Sequence, residues 1–280
     1  MASSFKFTTD CFNSDLLKQT IAFLEKDELI NSNFLSVLLT PRESTPQLSF
    51  LQLNDQIVFA GIQTAKEKGL IISTGTEEAA KIFALNFSNN HPNLTRAVGP
   101  NEAISIFSRI YSDCSSKKHT ILTNVRFFVL EKINPLINRS HGKTRIATTS
   151  DFDLVKNWHR EFDDDAHRAG KRTEEELNSL VTNGIKKEMI FIFDDGSKPI
   201  SLAANMRGTK DLGFIAPVYT PKEYRGKGYA SAIVTDLSQM ILNKFKKPAL
   251  FTDLSNPTSN SIYQKIGFKA VSDFKEIKFE

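Results

Sequence analysis

A β-prone apolar run, a turn built from Arg225, Gly226, Lys227 and Gly228, and an amphipathic helical pattern follow one another around residues 219–231, which read YTPKEYRGKGYAS. This junction constrains the chain more than any other stretch. Two glycines separated by one residue let backbone N–H groups converge on a point, and a helix starting there adds the positive end of its dipole. Such a turn is suited to holding a polyphosphate. Pro217 adds a second constraint. Proline cannot donate to a ladder, so the strand is expected to break its pairing just before the turn.

Composition narrows the class. At 280 residues the chain suits one large domain or two of ordinary size, and 40% hydrophobic with 24% charged residues is the balance of a soluble globular protein. The net charge of +4 is spread without a Lys/Arg block, so no nucleic-acid partner is expected. Cys11 and Cys114 belong to no CxxC pair or Cys/His cluster, which argues against a metal site and for buried free thiols in a reducing compartment. The first residues lack an apolar targeting segment, and the apolar stretch 29–41 is shorter than the ~20 residues that cross a bilayer. No membrane partner and a cytoplasmic location are the expectation.

In the first half, periodicity predicts helices from Ser14 or Asp15 and over 33–39, then strands over 48–53 and 57–62 joined by an Asn54-Asp55 turn. A strand at 70–74, a helix over 76–86, a strand at 96–98, a helix over 102–111 and a β run over 120–130 complete it. His91 and His119 read as solvated residues beside loops, and no catalytic pair emerges. The polar stretch 134–143 has the character of a linker.

The second half opens with a strand at 144–147 and a helix capped within 149–151. Residues 161–165 then hold four carboxylates, and a further helix capped by Thr173 carries Glu174, Glu175 and Glu176 in its first turn. Dipole complementarity and a solvated face explain these acids; an acidic rim attracting a cationic amine is the minor alternative. Strands at 189–193, 199–205 and 212–219 precede the glycine turn. After it come a helix ended by Pro248, a β run over 249–254, a short helix closed by Gly267, and a last strand over 268–279.

The turn is not a P-loop, because its single lysine lies between the glycines, and not a dinucleotide fingerprint, because Phe245, Lys246 and Lys247 stand where a ribose-binding acid belongs. Instead Arg225-Gly226-Lys227-Gly228-Tyr229-Ala230 matches [Q/R]-x-x-G-x-[G/A], and downstream Asn256, Asn260 and Tyr263 in N-x-x-x-N-x-x-Y precede Gly267-Phe268. Together these motifs resemble the GNAT superfamily of acyl-CoA-dependent N-acetyltransferases. The resemblance covers 144–280. It implies a mixed α/β acyltransferase fold and direct transfer of an acetyl group from acetyl-CoA to a primary amine of a small molecule or peptide.

By that resemblance, Val218, Tyr219 and Thr220 meet the pantetheine arm, and Arg225, Gly226, Lys227, Gly228, Tyr229, Ala230 and Ser231 wrap the pyrophosphate. A backbone N–H at Val218 or Tyr219 polarises the thioester carbonyl, and Tyr263 protonates the departing thiolate. Asn256 contacts the arm or orders water, and Asn260 bonds the cofactor or caps its helix. Glu161, Asp163 and Asp253 are candidates for the base, a water relay is equally compatible, and His159 reads as a surface or packing residue. The first half repeats the order of elements, with 73–78 in place of the glycine turn but carrying two acids and no base. The expectation is two tandem GNAT-like domains, 1–138 degenerate and 139–280 functional, with a homodimer left open. The competing reading is a catalytically silent acyl-CoA-binding or regulatory module.

Overall fold

The computed structural model describes residues 4–9, 14–40, 45–64, 69–135, 139–166, 172–244 and 246–280. The chain forms two compact units, one of residues 1–127, 252–256 and 270–280, the other of 128–251 and 257–269. It thus passes between units more than once, where the linker-like composition of 134–143 had pointed to a single crossing. Of that stretch, 136–138 lie outside the described residues.

The first unit contains β1 (Phe5–Thr9), α1 (Ser14–Glu25), α2 (Glu28–Leu39), β2 (Gln47–Leu53), β3 (Gln56–Gln63), β4 (Leu70–Ile72), α3 (Glu77–Asn90), β5 (Arg96–Pro100), α4 (Asn101–Ser115) and most of β6 (His119–Val129). The C-terminal strand β14 (Lys269–Phe279) belongs to it as well, and the strand order runs β1-β2-β3-β4-β5-β14-β6. β14 pairs antiparallel with β5, Phe274 opposite Pro100 and Lys278 opposite Arg96. That pairing is why the chain's last residues count with its first unit.

Asn54 and Asp55 take φ of +50° and +63° in the β2–β3 turn, the conformation that short polar side chains tolerate. β1 carries little periodic signal in five residues and is recognised only through its pairing, Phe5 opposite Leu53 to Thr9 opposite Ser49. α2 starts five residues earlier than its apolar period, because Asp27 accepts from Ile30 N–H and sets the start. The core gathers Phe59, Phe83, Phe87, Phe107 and Tyr111, all without exposure. The Tyr111 hydroxyl donates to the His91 carbonyl (2.7 Å) and accepts from Leu94 N–H (2.9 Å), so its polar tip is satisfied in the interior. His91 is no solvated loop residue either: it stacks on Phe87 at 4.4 Å and bonds Thr9 Oγ1 at 2.8 Å. Cys114 is exposed rather than buried, on α4, and Cys11 lies outside the described residues.

The second unit repeats the order: β7 (Lys143–Ile146), a 3-10 turn (Thr149–Asp151), α5 (Phe152–Asp165), α6 (Glu174–Lys186), β8 (Ile190–Asp194), β9 (Pro199–Ala204), β10 (Arg207–Gly208), β11 (Leu212–Phe214) and β12 (Val218–Tyr219). A second 3-10 turn (Lys222–Tyr224), α7 (Tyr229–Leu242), β13 (Lys247–Asp253) and α8 (Pro257–Ile266) follow. β12-β9-β8-β7 form one sheet, while β11 lies between β10 and β13.

Alternation along β8 and β9 sorts the interior into two layers. Ile190, Ile192, Leu202 and Ala204 pack with Val155 and Trp158 of α5 and Val181 of α6. Phe191, Phe193 and Ala203 pack with Ile233, Val234 and Leu237 of α7 and Ile266 of α8. Among the described residues, no helix is long and apolar enough to cross a membrane.

Candidate active site

The run 212–219 is two strands. Leu212 to Phe214 pair in parallel with Lys247 to Ala249, and the Ile215 N–H still donates to the Ala249 carbonyl at 2.8 Å. One residue later the chain changes partner: Ala216 N–H donates to Ala204 (2.8 Å), and Ala204 N–H donates to Pro217 (3.1 Å). Pro217 has no N–H to continue a ladder, and the switch falls there. The break expected from the sequence is present.

The bonding of Pro217 with Ala204 makes Val218–Ala203 the next, non-hydrogen-bonded pair of the antiparallel ladder, so the Val218 N–H and carbonyl turn away from β9. The two side chains of β12 divide between the layers. Val218 packs against the α7–α8 layer and Tyr219 against Trp158 of α5. One residue thus offers an outward backbone donor, and the next reaches the opposite side of the sheet. Thr220 is held by Ser201, whose hydroxyl lies 2.8 Å from Thr220 Oγ1 and 2.9 Å from the Tyr219 carbonyl it donates to.

The glycine turn follows. Gly226 and Gly228 have φ of +77° and +81°, a region that side-chain-bearing residues rarely adopt, and a Cβ on Gly226 would meet nothing within 4 Å. The first bond of α7 runs from Ala232 N–H to the Gly228 carbonyl (3.0 Å). The N–H groups of Gly226, Lys227, Gly228, Tyr229, Ala230 and Ser231 donate to no described residue. They form an open row of donors at the positive end of a 14-residue helix. Lys227 and Lys198 lie 6.0 and 4.8 Å from the centre of the Tyr224 ring, in the 3-10 turn that precedes the row. Lys198, at the start of the β9 hairpin strand, carries no motif signal and was missed in the sequence.

Arg225 has a different task from its neighbours. Its N–H is used by the 3-10 turn (Lys222 carbonyl, 3.3 Å), its Nε donates to the Thr220 carbonyl (2.8 Å), and its guanidinium pairs with Asp165 while lying 5.8 Å from the Tyr219 ring centre. Its side chain braces the loop to α5. The Asp165 carboxyl is held below its usual range by that hydrogen bond.

Tyr263 and Asn260 lie one turn apart on α8. The Tyr263 ring packs 6.5 Å from Phe128 and 5.9 Å from Phe268, against the same layer as Val218. Its phenol has no hydrogen-bond partner among the described residues, and burial pushes it up to about 12. It therefore keeps its proton through the neutral range. Asn256 is exposed, donates its N–H to the Asp253 carbonyl (3.1 Å), and sits in the segment 252–256 that counts with the first unit.

On the α5 side of β12 lies a cleft of about 360 Å³, walled by Trp158, Tyr219 and Pro221; among the described residues it is lined by Glu161, Asp164, Asp165 and Glu223 and by Lys222. The Tyr219 hydroxyl donates to Glu161 at 2.8 Å; burial first, then this carboxylate, pushes the phenol up. Among the residues considered as a base, Glu161 faces this cleft, Asp163 is buried and paired with Arg172, and Asp253 accepts from Ser255 N–H at 2.7 Å. His159 is 1% exposed, a packing residue of α5. No group of metal-ligating side chains occurs among the described residues.

The equivalent turn in the first unit is partly closed. Ser73 Oγ accepts from Ala60 N–H (2.9 Å), Asn31 Oδ1 accepts from Thr74 N–H (2.9 Å), and Thr76 Oγ1 accepts from Ala79 N–H (3.2 Å). A Cβ on Gly75 would stand 2.6 Å from Phe59 and 2.9 Å from the Val58 carbonyl. Of the donors that correspond to the row in the second unit, the N–H groups of Thr74 and Ala79 are taken up here.

These features, a strand that changes partner at a proline and a glycine turn opening a helix, define the fold as that of the GNAT acetyltransferases. Residues 192–276 match the family described as FR47-like protein, a span that takes in the glycine turn and Tyr263. Solved structures agree in fold over nearly the whole chain. A GNAT-family acetyltransferase from Colwellia psychrerythraea superposes with a TM-score of 0.61 at 13% identity, covering 98% of this chain and 99% of its own. A GCN5-related N-acetyltransferase from Sphaerobacter thermophilus gives 0.65 at 11%, covering 98% and 95%. A tandem GNAT protein from the clavulanic acid biosynthesis pathway gives 0.59 at 8%, covering 99% and 98%. A search of curated protein sequences finds no match.

Proposed function

We propose that the second unit transfers an acetyl group from acetyl-CoA to a primary amine. The observation that carries this reading is the outward Val218 N–H together with the N–H groups of 226–231, which donate to no described residue at the start of α7. The residues fit the cosubstrate. Gly226 to Ser231 would hold its pyrophosphate through backbone donors, and Lys198 and Lys227 would balance its charge. The group supplies an activated thioester. What the chain itself does follows from its atoms.

Val218 N–H is a fixed donor for the negative charge that develops on the carbonyl oxygen during attack, a role worth several kcal/mol where water is excluded (about 2.7–4 kcal/mol for one donor). Tyr263, protonated and set in an apolar wall, gives its proton to the leaving sulfur. Asn260, on α8, is assigned to a contact with the cosubstrate.

The test is a calorimetric titration of the full-length protein with acetyl-CoA, followed by measurement of free thiol released with a panel of primary amines. Binding and amine-dependent thiol release are expected, both lost in Gly226→Asp, which places a carboxylate in the row of donors. An absence of heat at saturating acetyl-CoA, or unchanged affinity in Gly226→Asp, would remove the reading.

A further inference from the structure

The cleft beneath β12 has a chemistry of its own. It is a cavity of about 360 Å³ whose walls include the Trp158 and Tyr219 rings, 6.3 Å apart, and among the described residues that line it carboxylates outnumber cations. Aromatic faces and carboxylates both favour a cation and disfavour an anion. Its position is set by β12: Tyr219 projects into it, while the peptide N–H of the preceding Val218 turns off the edge of the sheet. We propose that this cleft holds the acceptor as a cationic amine with a second positive group, such as a linear diamine, and that Glu161 takes the proton its reacting nitrogen must lose. The proposal rests on the acetyltransferase reading above.

The proton balance closes on named groups. An amine of pKa near ~10 arrives as an ammonium and is no nucleophile. It gives one proton to Glu161, and the freed lone pair forms the C–N bond to the thioester carbonyl carbon. The C–S bond breaks, and the sulfur takes the Tyr263 proton. The nitrogen, now bearing an excess proton, returns it to the Tyr263 oxygen by way of solvent. Glu161 then releases its proton to water. Tyr219 is a positioning residue: its hydroxyl donates to Glu161 at 2.8 Å and fixes the carboxylate beside the strand edge. The distal ammonium of a diamine has Glu223 within the same cleft. Asp165 is committed to Arg225 and Lys222.

Among the described residues, the charged and titrating groups around Glu161 are Tyr219 from β12, Asp164 and Asp165 from its own helix, Lys222 and Glu223 from the 3-10 turn, and Arg225 over the Tyr219 ring. A test uses full-length protein, acetyl-CoA and three acceptors of one chain length: 1,4-diaminobutane, butylamine and 4-aminobutanoate. The expected order of kcat/KM is diamine over butylamine over the acid, with steps of about tenfold that shrink as salt rises. Glu161→Gln is expected to lower kcat about a hundredfold and remove the acidic limb of the pH profile, with acetyl-CoA affinity unchanged. Tyr219→Phe is expected to shift that limb and lower kcat, and Glu223→Gln to raise KM for the diamine alone. Equal rates with butylamine and the diamine, or an unaltered kcat in Glu161→Gln, would overturn the inference. Wild-type protein that binds acetyl-CoA yet shows neither effect refutes this inference alone; protein that does not bind acetyl-CoA refutes the reading beneath it as well.

Discussion

Ser140 stands where Gly228 could not carry a side chain. Its hydroxyl donates to the Lys227 carbonyl over 2.5 Å, and a Cβ on Gly228 would come within 2.8 Å of the Ser140 Oγ. The φ of +81° at Gly228 adds a conformational cost of about 1–2 kcal/mol for any side-chain-bearing residue. Gly228→Ala is thus expected to lower the thermal midpoint by a few degrees and to weaken acetyl-CoA binding about tenfold, because the row of N–H donors moves with the turn. Ser140→Ala, which removes only one exposed hydrogen bond, should cost about 0.5–1.5 kcal/mol and far less affinity. Calorimetry on both variants separates the two effects, and equal affinities would show that the geometry at Gly228 is irrelevant to binding.

Tyr263 is argued to act as an acid through a phenol that burial pushes up to about 12. Its ring is held by Phe128 and Phe268, so Tyr263→Phe keeps the packing and removes only the proton. Turnover is expected to fall by about a hundredfold or more, with acetyl-CoA affinity within about twofold of wild type. The wild-type rate should show no alkaline decline assignable to this group across the range in which the protein is folded. Steady-state kinetics beside a direct binding measurement decides it; an unchanged kcat would discard the role.

Much of this site is legible in the chain because its determinants are local. Gly226 and Gly228 need positive φ, Pro217 cannot pair, and both facts follow from residue chemistry before any contact is known. Asn260 and Tyr263 are three residues apart on a helix, a spacing readable from periodicity. The Glu161–Tyr219 pair spans 58 residues and the Ser140–Lys227 contact 87, and no local rule links such positions. The acids of 161–165 look like an ordinary helix end until β12 is laid beside them. The same holds for the first unit. Its helices and hairpin follow from their own patterns, yet the pairing of β14 with β5 joins residues near 276 to residues near 98 and cannot be seen in either segment.

The entry to α5 is expected to respond to acid. Arg145 makes a double hydrogen bond to Asp151 at 2.8 and 2.9 Å, and Asp151 also accepts from Thr148 N–H at 2.8 Å. The hydrogen bond from Arg145 is the main cause, and Thr148 adds to it; together they lower the Asp151 carboxyl from 3.8 to about 2. A depressed carboxyl contributes stability that is fully present above its unfolded value and is lost as pH falls through the folded one. The window is therefore about pH 4 to 2. The shift corresponds to at most about 2.5 kcal/mol, reduced toward about 1 because Arg145 is partly exposed. Arg145→Gln should lower stability at neutral pH and flatten the acid limb of a urea-unfolding series; a limb as steep as in wild type would assign the acid sensitivity elsewhere.

Asp165 connects the glycine turn to α5 through Arg225, and Arg225 in turn holds the Thr220 carbonyl at the end of β12. The pair is partly exposed, so its net contribution to global stability is small, about 0–1 kcal/mol. Its contribution to order is larger, since one guanidinium fixes the loop at two points. In Asp165→Asn the Arg225 side chain keeps the Thr220 bond but loses its anchor on the helix. The expected outcome is a thermal midpoint within about 2 °C of wild type and an acetyl-CoA affinity reduced about threefold to tenfold, the loss growing smaller at high salt where the pair is already screened. Titration calorimetry at two ionic strengths provides the measurement. An affinity equal to wild type at both would mean that the turn holds its shape through the backbone of Gly226 and Gly228 alone.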